Sequence, residues 1–324
     1  MYAIRYHENG DPDVLRWEQV EVPAPGHGEV LLRNTAIGVG LKETGERKGS
    51  YPCPPLPAIP GITAAAEVLE TGAGVTELQV GERVAYATLP AGSYCEQRVL
   101  PADRLVALPD EIDDVTAAAV FLKGITARFL VRKTYAIRPG DSVLVHAAAG
   151  GVGLLLCQWA KHLGATVIGT VSTDAKALVA KKNGCDHTIV YTRDDFVEAV
   201  KDITGGAGLP VVYDSVGKDT FVGSLECLQP LGLMVLYGVA SGHPPPLELM
   251  KFDIWTAYSF TRPSFYVHTK TREDLLENAR DLFEVVLSGA VKATISGQYP
   301  LQDAAEAHRD LESRRSTGSV VLIP

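Results

Sequence analysis

One glycine-rich turn limits what this chain can fold into more than any other feature. It reads HAAAGGVG over residues 146–153, after the apolar run Val143–Val145 and before an apolar helical segment. Against the pattern G-x-G-x-x-G, alanine takes the place of the first glycine, and Gly150 and Gly153 hold the other two. Gly150 and Gly151 let the backbone approach a pyrophosphate, and Gly153 lets the helix pack closely on the strand. The turn predicts a dinucleotide site at a helix N-terminus, with a purely structural turn as the alternative.

Strand-like and helix-like segments alternate through the middle of the chain. Strands are expected at 142–145, 166–170, 188–190, 209–213 and 233–237, separated by helices at 153–163, 175–182, 196–203 and 220–228. This alternation predicts an α/β fold with a Rossmann-type, doubly wound parallel sheet.

The two ends of the chain differ from this middle part. The N-terminal part combines short strand-like runs with Pro- and Gly-rich turns, which is typical of an antiparallel, barrel-like domain. Near the C-terminus we expect helices at 273–288 and 304–313, and a strand at 319–323 that returns to the first domain. We therefore predict a β-rich domain built from residues 1–121 and 262–324, with a dinucleotide-binding domain, 122–261, inserted into it.

The end of the second strand of that domain indicates which coenzyme binds. Enzymes that use NAD place an acidic side chain there for the ribose 2′-hydroxyl, but this chain reads GTVSTDAK over residues 169–176. Ser172 and Thr173 can donate hydrogen bonds to a 2′-phosphate, and Lys176 supplies a positive charge. Asp174 could accept from a 2′-hydroxyl, although N-capping of the next helix is a sufficient role for it. The pattern favours NADPH.

Charge and cysteine content narrow the partners and the compartment. The net charge of −9 argues against nucleic acid or an anionic membrane surface as a partner. No apolar run is long enough to span a bilayer, and the N-terminus lacks the pattern of a signal peptide. The five cysteines are scattered without a CxxC pair, which indicates reduced thiols and a cytoplasmic protein.

The sequence does not predict a metal site. A catalytic zinc needs three protein ligands, and the first domain offers only two cysteines, Cys53 and Cys95, and two histidines, His7 and His27, in unrelated contexts. We therefore expect no metal.

Longer stretches around the glycine turn resemble the quinone oxidoreductase (zeta-crystallin-like) family of the medium-chain dehydrogenase/reductase superfamily. These stretches read FLKGITA at 121–127, LVRKTY at 130–135, CQWAK at 157–161, VYDSVG at 212–217, TRP at 261–263 and LESR at 311–314. The resemblance extends over essentially the whole chain. It implies a GroES-like fold for the β-rich catalytic domain, hydride transfer from NADPH to a quinone or related conjugated carbonyl without zinc or flavin, and a homodimer.

The resemblance also implies which residues contact the coenzyme. Gly151 and Val152 would contact the pyrophosphate, and Ser172, Thr173 and Lys176 the 2′-phosphate. The remaining candidates are Tyr191 and Arg314 at the adenosine end, Ser215, and a group at the nicotinamide half, namely Phe129, Tyr237, Gly238, Val239, Ala240, Pro263 and Ser264. Phe129 takes the place of a family tyrosine.

The chain departs from the family where the acceptor pocket is expected. The family commonly shows Gly-x-Asn-Phe-x-Asp-x-Tyr, whereas residues 38–45 read GVGLKETG, which we interpret as a loop. The asparagine, the aromatic residue and the tyrosine are replaced by Gly40, Leu41 and Gly45. Glu43 holds the acidic position, and Lys42 is unusual. These five residues and Tyr51 are the acceptor-pocket candidates, and we assign no catalytic residue.

Two other functions remain open. A 2-alkenal or enoyl-thioester reductase would use the same coenzyme and the same hydride step. Loss of the pocket side chains would also suit an NADPH-binding protein with little catalysis.

Several polar residues are expected to be structural. We expect His146 to be packed and hydrogen bonded, Cys157 to lie in the core and His308 to lie on a surface helix. The final proton is expected to come from water, and Tyr51 and Lys42 are candidates only. Dimer contacts are expected at an edge strand near Leu233 to Tyr237 or in the segment after it.

Overall fold

The structure, a computed structural model, describes residues 1–248, 250, 257–313 and 315–324 of the chain. Two compact units are present. Unit 1 comprises Met1–Ile125, Thr269–Leu287 and Ala293–Pro324, and unit 2 comprises Thr126–His268 and Ser288–Lys292. These boundaries fall a few residues later than the predicted ones, and the short segment 288–292 goes with unit 2. The functional division into a catalytic and a dinucleotide-binding domain stays a prediction.

The elements follow the predicted alternation. The strands are β1 Tyr2–Arg5, β2 Arg16–Gln19, β3 Glu29–Val39, β4 Thr63–Thr71, β5 Arg83–Ala87, β6 Gln97–Pro101, β7 Leu105–Ala107, β8 Ser142–Val145, β9 Thr166–Val171, β10 His187–Val190, β11 Leu209–Asp214, β12 Leu228–Leu236, β13 Ser259–Thr261, β14 Ile295–Pro300 and β15 Ser319–Ile323. The helices are α1 Leu41–Lys48, α2 Asp114–Phe129, α3 Gly151–His162, α4 Asp174–Lys182, α5 Phe196–Thr204, α6 Phe221–Glu226, α7 Phe265–His268, α8 Arg272–Leu287 and α9 Ala304–Glu312. Within the described ranges, no helix is both long and apolar enough to cross a membrane.

Unit 1 is built around a largely antiparallel sheet in the order β14-β15-β3-β4-β5-β7. One edge of β3 pairs with β4, and the other is shared by β6 along its first half and β15 along its second half. Val320 of β15 lies opposite Val39, which confirms that the C-terminal strand returns to the first domain. Leucine, valine and isoleucine side chains of β3, β4, β5 and β15 form its buried core.

Unit 2 is built on a parallel sheet in the order β10-β9-β8-β11-β12-β13. The central strand β8 carries Val143, Leu144 and Val145 in its interior, all fully buried, as a strand covered on both faces requires. The chain reverses direction of winding between β8 and β11, so the carboxyl ends of these two strands flank the switch point of a doubly wound fold. The predicted fold class is confirmed.

Two predictions about local structure are wrong. Residues Leu41–Lys48 form a helix instead of a loop, because Gly49 ends it at φ 76° and Lys42 pairs with Glu46 one turn away. The strand expected at 233–237 is present as β12, although it begins earlier, at Leu228, and ends at Leu236. It is also no edge strand, since β12 lies between β11 and β13, and among the described strands the edges of this sheet are β10 and β13.

The prediction that His308 lies on a surface helix is also wrong. The apolar face of α9 packs against the rest of unit 1, and His308, Ala304 and Ala307 are fully buried on that face. Its Nε2 lies 3.0 Å from the hydroxyl of Tyr94, which is also buried. Burial, helped by the positive charges of Arg47 and Lys48, lowers the pKa of His308 to about 3.

Replacement of His308 by glutamine should therefore reduce acid destabilisation. The unfolded chain binds a proton at His308 below its ordinary pKa of about 6.5, but the folded protein does not do so until about pH 3. Stability is thus lost as the pH falls through this window, by about 1.4 kcal/mol per pH unit from this one side chain. Urea unfolding of both proteins at pH 8, 6, 5 and 4 measures the difference. Equal slopes below pH 6 would contradict this account.

Candidate functional site

The glycine turn after β8 has the backbone that a bound phosphate requires. Ala147 adopts a left-handed conformation with φ 52°, and Gly150 precedes α3 without a side-chain cap. The first N–H groups of α3 are thus left to an external acceptor. A Cβ on Gly153 would collide with the carbonyl oxygen of Ala147, so only glycine allows α3 to approach the turn this closely.

A buried hydrogen-bond network stabilises this glycine turn. His146 lies 2.9 Å from the hydroxyl of Thr170 through Nδ1 and 2.9 Å from that of Ser224 through Nε2. Burial lowers the pKa of His146, and the charge of Asp214 opposes the shift. His146 therefore ties β8 to β9 and α6, as the sequence prediction of a packed, hydrogen-bonded residue required.

Asp214, at the end of β11, shapes the neighbouring turn. Its Oδ1 accepts from the N–H groups of Val216 and Gly217 at 2.7 and 3.0 Å, and its Oδ2 accepts from the Thr220 hydroxyl at 2.8 Å. The N–H of Ala240 donates to the carbonyl of Ser215 at 3.1 Å. The structure therefore brings Ser215 next to the candidates Tyr237 to Ala240, beyond the carboxyl ends of β11 and β12.

The predicted 2′-phosphate residues gather at the end of β9. The hydroxyl of Thr173 accepts from the N–H of Lys176 at 3.2 Å and so caps α4. Thr192 donates its hydroxyl to the carbonyl of Ser172 at 3.0 Å, and the N–H of Tyr191 donates to Val171. These contacts bring Ser172, Thr173, Lys176 and Tyr191 to one corner.

Two details of that corner differ from the sequence interpretation. The N-cap of α4 is Thr173, so Asp174 is not needed for capping. Asp174 is the first helical residue, and its carboxylate lies 3.3 Å from the guanidinium of Arg193. Sequence reasoning missed Arg193, although a basic residue shortly after the third strand of such a domain was a usable signal.

Apart from Ser215 and Tyr237 to Ala240, the nicotinamide candidates of unit 2 lie around His268. Phe129 is buried and stacks on His268, with ring centroids 4.2 Å apart and an interplanar angle of 8°. Pro263 and Ser264 line a groove of about 430 Å³, together with Lys133, Thr134, Leu233, Thr261, Arg262, Val267 and His268. Arg314 lies outside the described residues. The roles of all these residues stay predictions.

In unit 1 the acceptor-pocket candidates lie on α1 and just after it. A Cβ on Gly40 would lie 2.9 Å from Oε2 of Glu43, so the carboxylate folds back over Gly40. The ring of Tyr51 covers Gly45, where a Cβ would collide with it. Leu41 is half exposed, and Lys42 pairs with Glu46. Two of the three missing family side chains thus leave space that other side chains of this protein fill.

Glu43 has an unusual environment for a carboxyl group. It is almost completely buried, and its Oε1 makes no hydrogen bond within the described part of the chain. Burial raises the pKa of Glu43 to about 7, although the charges of Lys42 and Lys123 oppose the shift. A carboxyl group that holds its proton near neutral pH can act as an acid or a base.

The thiols and potential metal ligands add no further site. All five cysteines are free, and Cys157 is fully buried, as predicted for a core residue. Among the described residues, no cluster of three or more His, Cys, Asp or Glu side chains could hold a metal ion.

The fit between Gly40 and Glu43 can be tested by restoring the family pair. Gly40→Asn alone should destabilise the protein by about 1–3 kcal/mol, because the new side chain displaces the buried carboxylate. Adding Glu43→Asp shortens that side chain and should recover at least half of the loss. Urea unfolding of wild type, both single variants and the double variant gives the coupling energy. Additive effects of the two substitutions would refute the fit.

Comparison with known proteins supports the same reading of both units. The family model of the alcohol dehydrogenase GroES-like domain matches residues 26–110, and that of the zinc-binding dehydrogenases matches residues 151–281. A 2-haloacrylate reductase from Burkholderia sp is 45% identical over 329 residues, 99% of this chain and 98% of that protein. Quinone oxidoreductase 1 of Escherichia coli (strain K12) is 45% identical over 323 residues, 99% of both chains. The crystal structure of Escherichia coli quinone oxidoreductase complexed with NADPH superimposes with a TM-score of 0.97 at 44% identity, covering 100% of each chain.

Proposed function

The chain belongs to the quinone oxidoreductase family of the medium-chain dehydrogenase/reductase superfamily, and we propose that it is an NADPH:quinone oxidoreductase that works without zinc or flavin. The observation that carries this proposal is the uncapped N-terminus of α3 behind a glycine turn, next to a corner that collects Ser172, Thr173 and Lys176. That combination suits a dinucleotide with an extra phosphate.

The residues of unit 2 would bind and orient the coenzyme. Gly151 and Val152 would hold the pyrophosphate through their N–H groups, and Ser172, Thr173 and Lys176 would hold the 2′-phosphate, with Tyr191 at the adenosine end. Arg193 would add a second positive charge there, and its pairing with Asp174 offsets the charge of that carboxylate. The nicotinamide half would lie against Phe129, Ser215, Tyr237, Gly238, Val239, Ala240, Pro263 and Ser264.

NADPH, when bound, supplies a hydride from its nicotinamide ring, which is the chemically demanding part of the reaction. The protein positions a planar acceptor beside it and excludes water. We propose that the acceptor is held by Gly40, Leu41, Lys42, Glu43, Gly45 and Tyr51 of unit 1. Because positions 40 and 45 are glycines, the pocket would be shaped by Glu43 and Tyr51.

We propose further that the protein is cytoplasmic and forms a homodimer. Five free cysteines support a reducing cytoplasm. A homodimer is supported by β13, a described edge strand on which Phe260 is 49% exposed.

A second candidate function is reduction of a conjugated alkene. It is favoured by the 2-haloacrylate reductase relative, which is as similar in sequence as the quinone oxidoreductase of Escherichia coli. The hydride would then reach carbon instead of a quinone.

A panel of acceptors tests the proposed function. With NADPH, we expect turnover of 1,4-benzoquinone and 9,10-phenanthrenequinone, followed by the loss of absorbance at 340 nm, with values of kcat/KM at least tenfold above that of a 2-alkenal; this tenfold margin corresponds to about 1.4 kcal/mol in the barrier. Exclusive use of the alkenal would favour the second candidate. Tight NADPH binding without turnover of any acceptor would support a binding protein with little catalysis.

The 2′-phosphate corner is tested by Lys176→Glu. This change replaces an attractive charge by a repulsive one, so NADPH affinity should fall about 10- to 100-fold while NADH affinity changes little. Lys181→Glu is the matched control, because Lys181 is an exposed lysine in the last turn of the same helix. Coenzyme fluorescence titration measures all six dissociation constants, for wild type and both variants with each coenzyme. Equal losses for both coenzymes, or equal losses in both variants, would dismiss the role of Lys176.

A further inference from the structure

The loop after β10 is joined to the end of β9, where the 2′-phosphate is proposed to bind. The hydroxyl of Thr192 donates to the carbonyl of Ser172 at 3.0 Å. The next residue, Arg193, therefore extends from a backbone that is tied to this corner, and its side chain reaches Asp174 at the start of α4. A cation and an anion thus meet beside the proposed phosphate site.

The guanidinium group of Arg193 contacts two carboxylates through different edges. Its Nε and Nη2 lie 3.2 and 3.3 Å from the two oxygens of Asp194, whereas its Nη1 lies 3.3 Å from both oxygens of Asp174. Asp194 therefore orients the guanidinium plane through two atoms and leaves the Nη1 edge to Asp174. All these separations exceed the value of about 2.8 Å that is usual between charged partners, so the contacts are loose.

The contact between Asp174 and Arg193 is weak enough for a phosphate to replace it. The side chain of Asp174 is 77% exposed and that of Arg193 is 61% exposed, so both can reach a ligand and solvent screens their attraction. A phosphate monoester carries about two negative charges at neutral pH, and it forms short, charge-assisted hydrogen bonds with arginine. A 2′-phosphate in this corner would therefore compete successfully with Asp174 for Nη1.

Without a 2′-phosphate, the Asp174 carboxylate is available for a different contact. The hydroxyl of Thr173 caps α4, so Asp174 is not used as the cap. Asp174 begins α4 just beyond β9, which ends at Val171. An acidic side chain near the end of the second strand of such a domain accepts a hydrogen bond from the ribose 2′-hydroxyl of NAD. The same carboxylate that repels a 2′-phosphate can thus bind the hydroxyl of a coenzyme that lacks it.

We propose that Asp174 and Arg193 form an exchangeable pair that sets the coenzyme preference of this protein. With NADPH, the 2′-phosphate replaces Asp174 on Nη1 of Arg193. With NADH, the pair stays closed and Asp174 accepts a hydrogen bond from the ribose 2′-hydroxyl. The inference rests on the proposed function only in placing the 2′-phosphate at this corner, and it makes NADH a second, weaker coenzyme.

Fluorescence titrations with NADPH and with NADH test the exchange in Arg193→Gln and Asp174→Asn. Arg193→Gln should weaken NADPH binding about 10- to 100-fold, because a charge-assisted contact is lost and Asp174 is left to repel the phosphate; NADH affinity should change less than about threefold. Asp174→Asn should strengthen NADPH binding about two- to fivefold, because only an exposed ion pair is removed as competitor. It should weaken NADH binding about tenfold, because the charged acceptor of the 2′-hydroxyl is gone.

The double variant Arg193→Gln/Asp174→Asn shows whether the two residues act through each other. Its loss of NADPH affinity should be smaller than that of Arg193→Gln alone, because no carboxylate is left to repel the phosphate. Arg138→Gln and Asp202→Asn are the matched controls, since Arg138 precedes β8 at the opposite end from the glycine turn, Asp202 lies in α5, and both are exposed. Both controls should bind the two coenzymes like wild type.

Phosphorus NMR of bound NADPH gives a second readout that requires no turnover. A phosphate monoester loses its second proton at about pH 6 in water, and contact with a guanidinium group favours the dianion. The 2′-phosphate signal should therefore titrate at a lower pH in wild type than in Arg193→Gln. The same titration in both variants would show that Arg193 does not contact the phosphate and would overturn the exchange.

The outcomes separate this inference from the proposed function. Equal losses of NADPH and NADH affinity in Arg193→Gln, or an unchanged NADH affinity in Asp174→Asn, would overturn the exchange and leave the quinone reductase intact. Absence of quinone turnover in wild type would defeat the proposed function, and the coenzyme affinities would still decide the role of the pair. If wild type bound neither coenzyme, both proposals would fall.

Discussion

The arrangement of unit 2 depends on the close approach between the start of α3 and the turn that precedes it. Only glycine at position 153 leaves room for the carbonyl of Ala147. Ala147 itself adopts a left-handed backbone conformation, which few residues other than glycine adopt. Gly169 continues the same constraint on the next strand, because a Cβ there would lie 2.7 Å from that of Ala148. A phosphate can be held by backbone N–H groups here because no side chain competes for the space.

Buried polar side chains stabilise this tight turn through hydrogen bonds. His146 bridges Thr170 and Ser224, while Asp214 gathers the N–H groups of the turn after β11. These groups are buried and mutually satisfied, so the network is rigid and costs little in unpaired polar surface. One histidine and one aspartate therefore fix the two turns that flank the switch point. The structure thus agrees with the sequence interpretation of His146 as a packed, hydrogen-bonded residue, and Asp214 has a structural role of the same kind.

Much of this could be predicted from the sequence, and the exceptions have physical causes. Hydrophobic periodicity and glycine placement predicted the strands, the helices and the phosphate turn, because these depend on local spacing. The loop predicted at 38–45 is wrong because Gly38, Gly40 and Gly45 mask a helix that is stabilised by a C-terminal cap and an ion pair. The burial of His308 cannot be read from the sequence for another reason. Burial of a polar side chain is decided by packing partners far away in the sequence, such as Tyr94 for His308.

Glu43 of α1 and Lys123 of α2 place ionisable groups where apolar side chains of similar size would usually be as stable or more so. Among the described residues, Oε1 of Glu43 and Nζ of Lys123 have no hydrogen-bond partner, and each unpaired atom costs free energy. The losses at Gly40 and Gly45 would at first suggest a pocket that has decayed. However, the longer acid Glu43 fills the space of the lost side chain at position 40 and is itself buried there, which decay alone does not explain. The changes in this segment are therefore better understood as a local repacking, in which Glu43 and the ring of Tyr51 occupy the space next to Gly40 and Gly45.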